Sequence, residues 1–213
     1  RDQPRSRGLG DVYKRQLLLG LNLENILNII TITGDPVPTA EKDEVKSVFQ
    51  FNSTKFATLV SDMNEKVFTN KMNIGGALNL NANKFDLEIK RAQAKEKAGV
   101  NVFYTQPVIS KTAVENLKIA RKELKSYIMG GVMPIVSYKN ALFMNSEASG
   151  IRLDDEIIEQ YKGLEREEAS RLAVEITSDF MRQIADDVDG YYIITPFSRV
   201  DIVGELIKLF KRV

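Results

Sequence analysis

Past residue 17 the chain alternates between two patterns. Short apolar runs occupy 26–33 (ILNIITIT), 72–77 (MNIGGA), 101–106 (NVFYTQ), 127–133 (YIMGGVM) and 191–195 (YYIIT). Runs that are continuous rather than alternating suit parallel strands covered on both faces. Between them, apolar residues recur at helical spacing. One stripe is Phe56, Leu59, Val60 and Met63; a second is Val114, Leu117, Ala120 and Leu124. A longer one joins Ala169, Leu172, Ala173, Ile176, Phe180 and Ile184, and Ile202, Val203, Leu206, Ile207 and Phe210 close the chain. Such stripes are core contacts first. Ser53, Asp154 and Ser198 stand where helix N-caps belong, and Gly99 reads as a helix C-cap. Residues 134–190 are predicted to form a long connection holding two helices.

Strand, helix, strand with right-handed crossovers gives an α/β fold. Five such units do not by themselves separate an open doubly wound sheet from part of a (β/α)8 barrel. No G-x-G-x-x-G follows the first run and there is no Walker A sequence, which lowers the nucleotide-fold readings.

In both architectures ligands sit beyond the carboxyl ends of the strands. The first run ends on Gly34-Asp35-Pro36, the second on Asn79 and Asn81, and the third on Thr105-Gln106-Pro107. The fourth ends on 134–137 and the last on 195–199 (TPFSR). This rim has one acid, several amides and hydroxyls, and one Arg. It lacks the carboxylate pair of a glycosidase and the ligand cluster of a metal site. Each member has a plainer reading. Asp35 suits an Asx-turn, Gln106 can satisfy loop backbone, Arg199 can be a solvated charge, and the Gly pairs can allow close packing. The signal is the ordered set.

Composition narrows the chemistry. The 213 residues contain no Cys and no His, so disulfides, thiolate metal sites and imidazole bases are excluded. No apolar run approaches the ~18 residues of a membrane span. A net charge of +1, without a basic stripe, argues against a nucleic-acid surface. Residues 1–16 stand apart: five basic residues (Arg1, Arg5, Arg7, Lys14, Arg15) against Asp2 and Asp11, with no helix or strand periodicity. They resemble a translated adapter-like artefact and are excluded from fold reasoning, so the domain is taken as 17–213. Without them the chain carries 25 basic and 27 acidic residues.

Taken in order, "NILNIITITGDP", "GGALNLNANKFDLEIKR…AG", "VFYTQPV", "GGVMP" and "GYYIITPFSR" resemble methylenetetrahydrofolate reductase. They are most similar to the form fused behind a homocysteine S-methyltransferase domain. The resemblance covers about residues 17–213. It implies a (β/α)8 barrel truncated to about strands four to eight. It also implies FAD as cofactor, NADH or NADPH as reductant, and reduction of 5,10-methylenetetrahydrofolate to 5-methyltetrahydrofolate in one-carbon and methionine metabolism. The family's catalytic Glu lies on the first barrel strand, which is missing here. The chain alone is therefore expected to bind FAD weakly and to be inactive. A cytoplasmic location, homo-oligomerisation of the full-length protein, and no nucleic-acid or membrane partner complete the expectation.

The resemblance also implies roles for single residues. Asp35 matches the family's GD aspartate at the flavin and pterin, where a negative charge favours a cationic iminium forming from the folate. Gln106 matches the glutamine that binds the pterin. An amide offers donor and acceptor together. Phe143, in "NALF", matches an aromatic that stacks on folate or nicotinamide. Arg199 matches a basic residue reaching the glutamate tail. Asn81, Glu88 and Lys95 fall where the family holds FAD. Asn81 departs from the His of many relatives, keeping a hydrogen bond but no positive charge. Two rivals stand beside this reading. One is a folate-binding module without flavin chemistry. The other is a flavin-free lyase or aldolase barrel, against which counts the absence of any Lys within the five runs.

Overall fold

The computed structural model describes residues 4–33, 52–145 and 151–210. Its strands are β1 (Asn28–Thr31), β2 (Asn73–Leu78), β3 (Val102–Pro107), β4 (Tyr127–Val132) and β5 (Gly190–Ile193). They form one parallel sheet in the order β1-β2-β3-β4-β5. A doubly wound sheet reverses its strand order at a switch point. Sheet order equal to chain order is instead the pattern of consecutive units of a (β/α)8 barrel, the fold class the sequence predicts. All five strands fall on the five apolar runs.

The helices are α1 (Pro4–Leu23), α2 (Ser53–Lys66), α3 (Phe85–Lys97), α4 (Lys111–Glu123), α5 (Tyr138–Met144), α6 (Asp155–Gln160), α7 (Arg166–Gln183) and α8 (Val200–Phe210). The chain divides into two compact units, residues 1–77 with 91–102 and residues 78–90 with 103–213.

In the first unit, α2 buries Ala57, Leu59, Val60 and Met63. Burial of each of the three larger side chains contributes roughly 1.5–3 kcal/mol. Register between β1 and β2 pairs Asn28 with Asn73 and Thr31 with Gly76. A ladder of amides fixes that register at the strand starts. Asn73 Nδ2 donates to Asn28 Oδ1 (2.8 Å) and Asn101 Nδ2 to Asn73 Oδ1 (3.1 Å). Gly99 ends α3 as expected. Its φ of +102° favours glycine, and a Cβ there would lie 2.8 Å from Ser61 Oγ.

In the second unit, Val132, Val136, Ala173, Met181, Ile202 and Leu206 form a buried cluster under α7 and α8. Tyr191 Oη donates to the Met181 carbonyl (2.7 Å), joining β5 to α7.

Four local expectations are corrected. Residues 1–16 are read as irregular, yet α1 runs through them from Pro4, and Lys14 Nζ stands 5.4 Å from the centroid of the Phe56 ring. Gly8 and Gly10 hide this helix by lowering local propensity. The N-cap of α2 is Asn52, which accepts from Lys55 N (2.9 Å), and Ser53 is already the first helical residue. Ser198 is no cap: it has φ +58° and follows Phe197 at φ +47°, so the chain makes a left-handed turn before α8 begins at Val200. Among the described residues the connection after β4 holds three helices, α5, α6 and α7, because Gly163 (φ +75°) breaks the stretch between α6 and α7.

Candidate functional site

Beyond the carboxyl end of β2, three polar residues are linked through backbone. Asn79 N donates to Glu88 Oε1 (3.2 Å) and Asn81 N to Asn79 Oδ1 (2.9 Å). Asn116 Nδ2 holds the Leu80 carbonyl (2.8 Å), so the loop is pinned from α4 as well. Glu88 is buried on α3. The pinned loop encloses the Asn81 carboxamide, whose Nδ2 and Oδ1 are both buried without a hydrogen-bond partner among the described residues. Each buried polar group left unpaired costs about 1–3 kcal/mol, so a native structure seldom keeps two without reason. The arrangement fits a ligand offering an acceptor and a donor.

β3 alternates cleanly. Phe103, Thr105 and Pro107 are buried, while Val102, Tyr104 and Gln106 are half-buried on the other face. No partner for the Gln106 carboxamide is found among the described residues. Tyr104 meets Tyr192 of β5 edge to face, centroids 5.7 Å apart at 69°. Tyr192 stands opposite Gly131 in the β4–β5 register. Burial raises the Tyr192 phenol pKa, which keeps it a hydrogen-bond donor.

After β4, Ser137 caps α5 by accepting from Asn140 N (3.1 Å), and Asn140 Oδ1 accepts from Val136 N (3.1 Å). Asn140, Ala141 and Met144 anchor this short helix, leaving Phe143 66% exposed.

After β5, Arg199 is already engaged. Nε donates to Asp201 Oδ1 (3.0 Å), and Nη2 donates to Asp201 Oδ2 (2.6 Å) and Ser170 Oγ (2.7 Å). The plainer reading of Arg199 as a solvated charge does not hold, since its side chain is only 13% exposed. Hydrogen bonds from Arg199 hold the Asp201 carboxyl down at about 2. Asp201, in the first turn of α8, also offsets the unfavourable placement of a cation at a helix N-terminus.

Lys95, in the last turn of α3, donates Nζ to the Ala77 carbonyl of β2 (2.6 Å). Asp35 lies outside the described residues. Hydrogen bonds thus join Asn79, Asn81 and Glu88, whereas Gln106, Phe143 and Arg199 stand on separate elements, each at or following the carboxyl end of a strand. The Tyr104–Tyr192 pair is not singled out by sequence; its signal was the period of two in "YTQ". Among the described residues no group of acidic side chains could hold a metal, and no helix is long and apolar enough to cross a membrane.

The methylenetetrahydrofolate reductase family model matches residues 16–196. No curated protein matches the chain. Among solved structures, an uncharacterized protein from Clostridium thermocellum that binds two copies of 5-methyl-5,6,7,8-tetrahydrofolic acid has a TM-score of 0.55 at 17% identity, covering 85% of this chain and 70% of that one. At that identity the likeness shows the fold. A monomeric dihydrodipicolinate synthase variant has a TM-score of 0.42 at 13% identity, covering 86% of this chain and 56% of its own, too loose a likeness to bear on function.

Proposed function

The chain belongs to the methylenetetrahydrofolate reductase family, and from that premise we propose that it binds a reduced folate and FAD for the reduction of 5,10-methylenetetrahydrofolate to 5-methyltetrahydrofolate by NADH or NADPH. The observation that carries the flavin part is the buried Asn81 carboxamide, without a hydrogen-bond partner among the described residues and linked through Asn79 to the buried Glu88. An amide that can both donate and accept fits ribose hydroxyls. Flavin, when bound, supplies the hydride relay between nicotinamide and folate.

The chain's own residues orient the folate. The Gln106 amide, without a partner among the described residues, reads the amide edge of the pterin. Phe143, exposed on α5, offers a flat apolar face for stacking. Arg199, fixed by Asp201 and Ser170, presents its remaining donors to the glutamate carboxylate. Asp35 supplies the negative charge that favours the folate iminium.

A second reading is folate binding without flavin chemistry, favoured by the 5-methyltetrahydrofolate bound to the Clostridium thermocellum neighbour. Titrating the chain separately with 5-methyltetrahydrofolate and with FAD decides between them. Folate binding that falls in Gln106→Leu, with weak FAD binding that falls in Asn81→Leu, supports the reductase reading. Folate binding with no FAD binding selects the second, and binding of neither sinks both.

A further inference from the structure

Helix α8 is apolar over more of its circumference than it buries. Successive residues turn by about 100°, so Ile202, Leu206 and Phe210 share the side that meets the core of the second unit. Val200, Val203, Gly204 and Ile207 recur at i, i+3, i+4 and i+7 and form a second stripe beside it. Val200 is 72% and Ile207 50% exposed, with Val203 and Gly204 half-buried between them. A Cβ built on Gly204 would meet no atom within 4 Å. A surface helix ordinarily turns one apolar stripe to its core and polar residues elsewhere, so an added apolar stripe marks a contact surface.

The charges beside the stripe indicate what it meets. Asp201 and Lys208 stand two turns apart on its outer flank, one near each end of α8. The opposite flank is the core side, and Glu205 lies further round, away from the stripe. A two-fold axis that sets α8 antiparallel against α8 of a second copy keeps like flanks together. Val200 then faces the second copy's Ile207, and Val203 and Gly204 lie about the axis. Asp201 comes beside the second copy's Lys208, and the same pair forms again at the other end. Asp201 already accepts from Arg199, and a carboxylate has room for a lysine as well. A parallel pair would put these flanks on opposite sides and match neither charge. Gly204, without a side chain, lets the two backbones approach where the helices cross.

We propose that the outer stripe of α8 is a docking surface for a second copy of this chain, in a two-fold, antiparallel α8–α8 contact. A stripe this short falls well below the ~800 Å² per partner of a stable interface. The dimer is therefore weak, dissociating at roughly micromolar to millimolar concentration.

The test is sedimentation velocity on the full chain from about 10 μM to about 1 mM. The weight-average mass rises toward that of a dimer across the series. Ile207→Glu puts a charge in the stripe and stays monomeric throughout, with its melting temperature unchanged because residue 207 is half exposed. The native chain has no Cys, so single cysteines report the geometry without background. On mild oxidation Gly204→Cys crosslinks to itself. Val200→Cys does not, because its two copies lie about 10 Å apart along the axis, but it crosslinks when mixed with Ile207→Cys. These crosslinks decide the matter even if Ile207→Glu fails to fold. A monomer at every concentration overturns the proposal and leaves the stripe to another partner. A dimer that persists in Ile207→Glu moves the contact to another face and overturns it too. Self-crosslinking of Val200→Cys as ready as that of Gly204→Cys rules out the antiparallel pair.

Discussion

Tyr192 Oη donates to the main-chain carbonyl of Thr105, passing over Gly131 between them. The contact ties β5 to β3 across β4, and it exists because residue 131 has no side chain. A Cβ at Gly131 would lie 2.8 Å from Tyr192 Oη and 2.9 Å from the Thr105 carbonyl oxygen. The phenol can swing away, but the backbone oxygen cannot. Gly131→Ala is expected to lower stability by about 1–3 kcal/mol, read as a reduced urea midpoint. Adding Tyr192→Phe removes one of the two clashes, so the double variant is less destabilised than the sum of the singles. Strict additivity would show that Tyr192 and residue 131 do not meet.

The Asn81 carboxamide gives the next expectation. Its two buried polar atoms have no partner among the described residues. Replacing it with Leu removes both while keeping comparable volume. Unfolding of the ligand-free chain should be unchanged or up to about 1–3 kcal/mol more difficult. FAD affinity, followed by quenching of flavin fluorescence, should fall by about tenfold, the loss of a bond to a buried partner. Lower stability with unchanged FAD affinity would make Asn81 a structural residue.

Sequence made the five strands legible because parallel strands covered on both faces leave unbroken apolar runs, and 127–133 lands on β4 almost residue for residue. The rim was legible as well: Asn81, Gln106, Phe143 and Arg199 all follow or end strands. Their environments were not. Whether Arg199 is free depends on Asp201 two residues on and Ser170 twenty-nine residues back, and only folding brings the second into place. The left-handed turn at Phe197 and Ser198 was hidden because neither is a glycine, so the pattern placed a helix cap there. In the same way, nothing in "MGGVM" names Tyr192 as the group that needs Gly131.

Phe143 separates ligand contact from packing. Two thirds of it is exposed, and its neighbours Asn140, Ala141 and Met144 supply the anchoring of α5. Phe143→Ala should therefore change stability by no more than about 0.5 kcal/mol. Loss of a stacked aromatic contact is expected to weaken 5-methyltetrahydrofolate binding by about threefold to tenfold. A large fall in melting temperature, or no change in folate affinity, would remove Phe143 from the site.

The Arg199–Asp201 pair carries a pH signature. Arg199 hydrogen bonds hold the Asp201 carboxyl at about 2, below its ordinary value of 3.8. A carboxyl depressed on folding binds fewer protons in the native state than in the unfolded chain. Its stabilisation is therefore fully present above about pH 4 and is lost as pH falls toward the folded-state value. Asp201 is exposed, so solvent screens the pair and the effect is modest. Urea midpoints of the native chain and Asp201→Asn, measured from about pH 6 downward, should differ by a constant gap to about pH 4 and converge toward pH 2. The gap should also narrow in high salt. The same substitution keeps an amide oxygen that can still accept from Arg199 but removes the charge and the second acceptor, so it should loosen the guanidinium and weaken folate binding at neutral pH. A gap that closes well above pH 4, or that persists undiminished at pH 2, would show that the ion pair does not hold the Asp201 proton off.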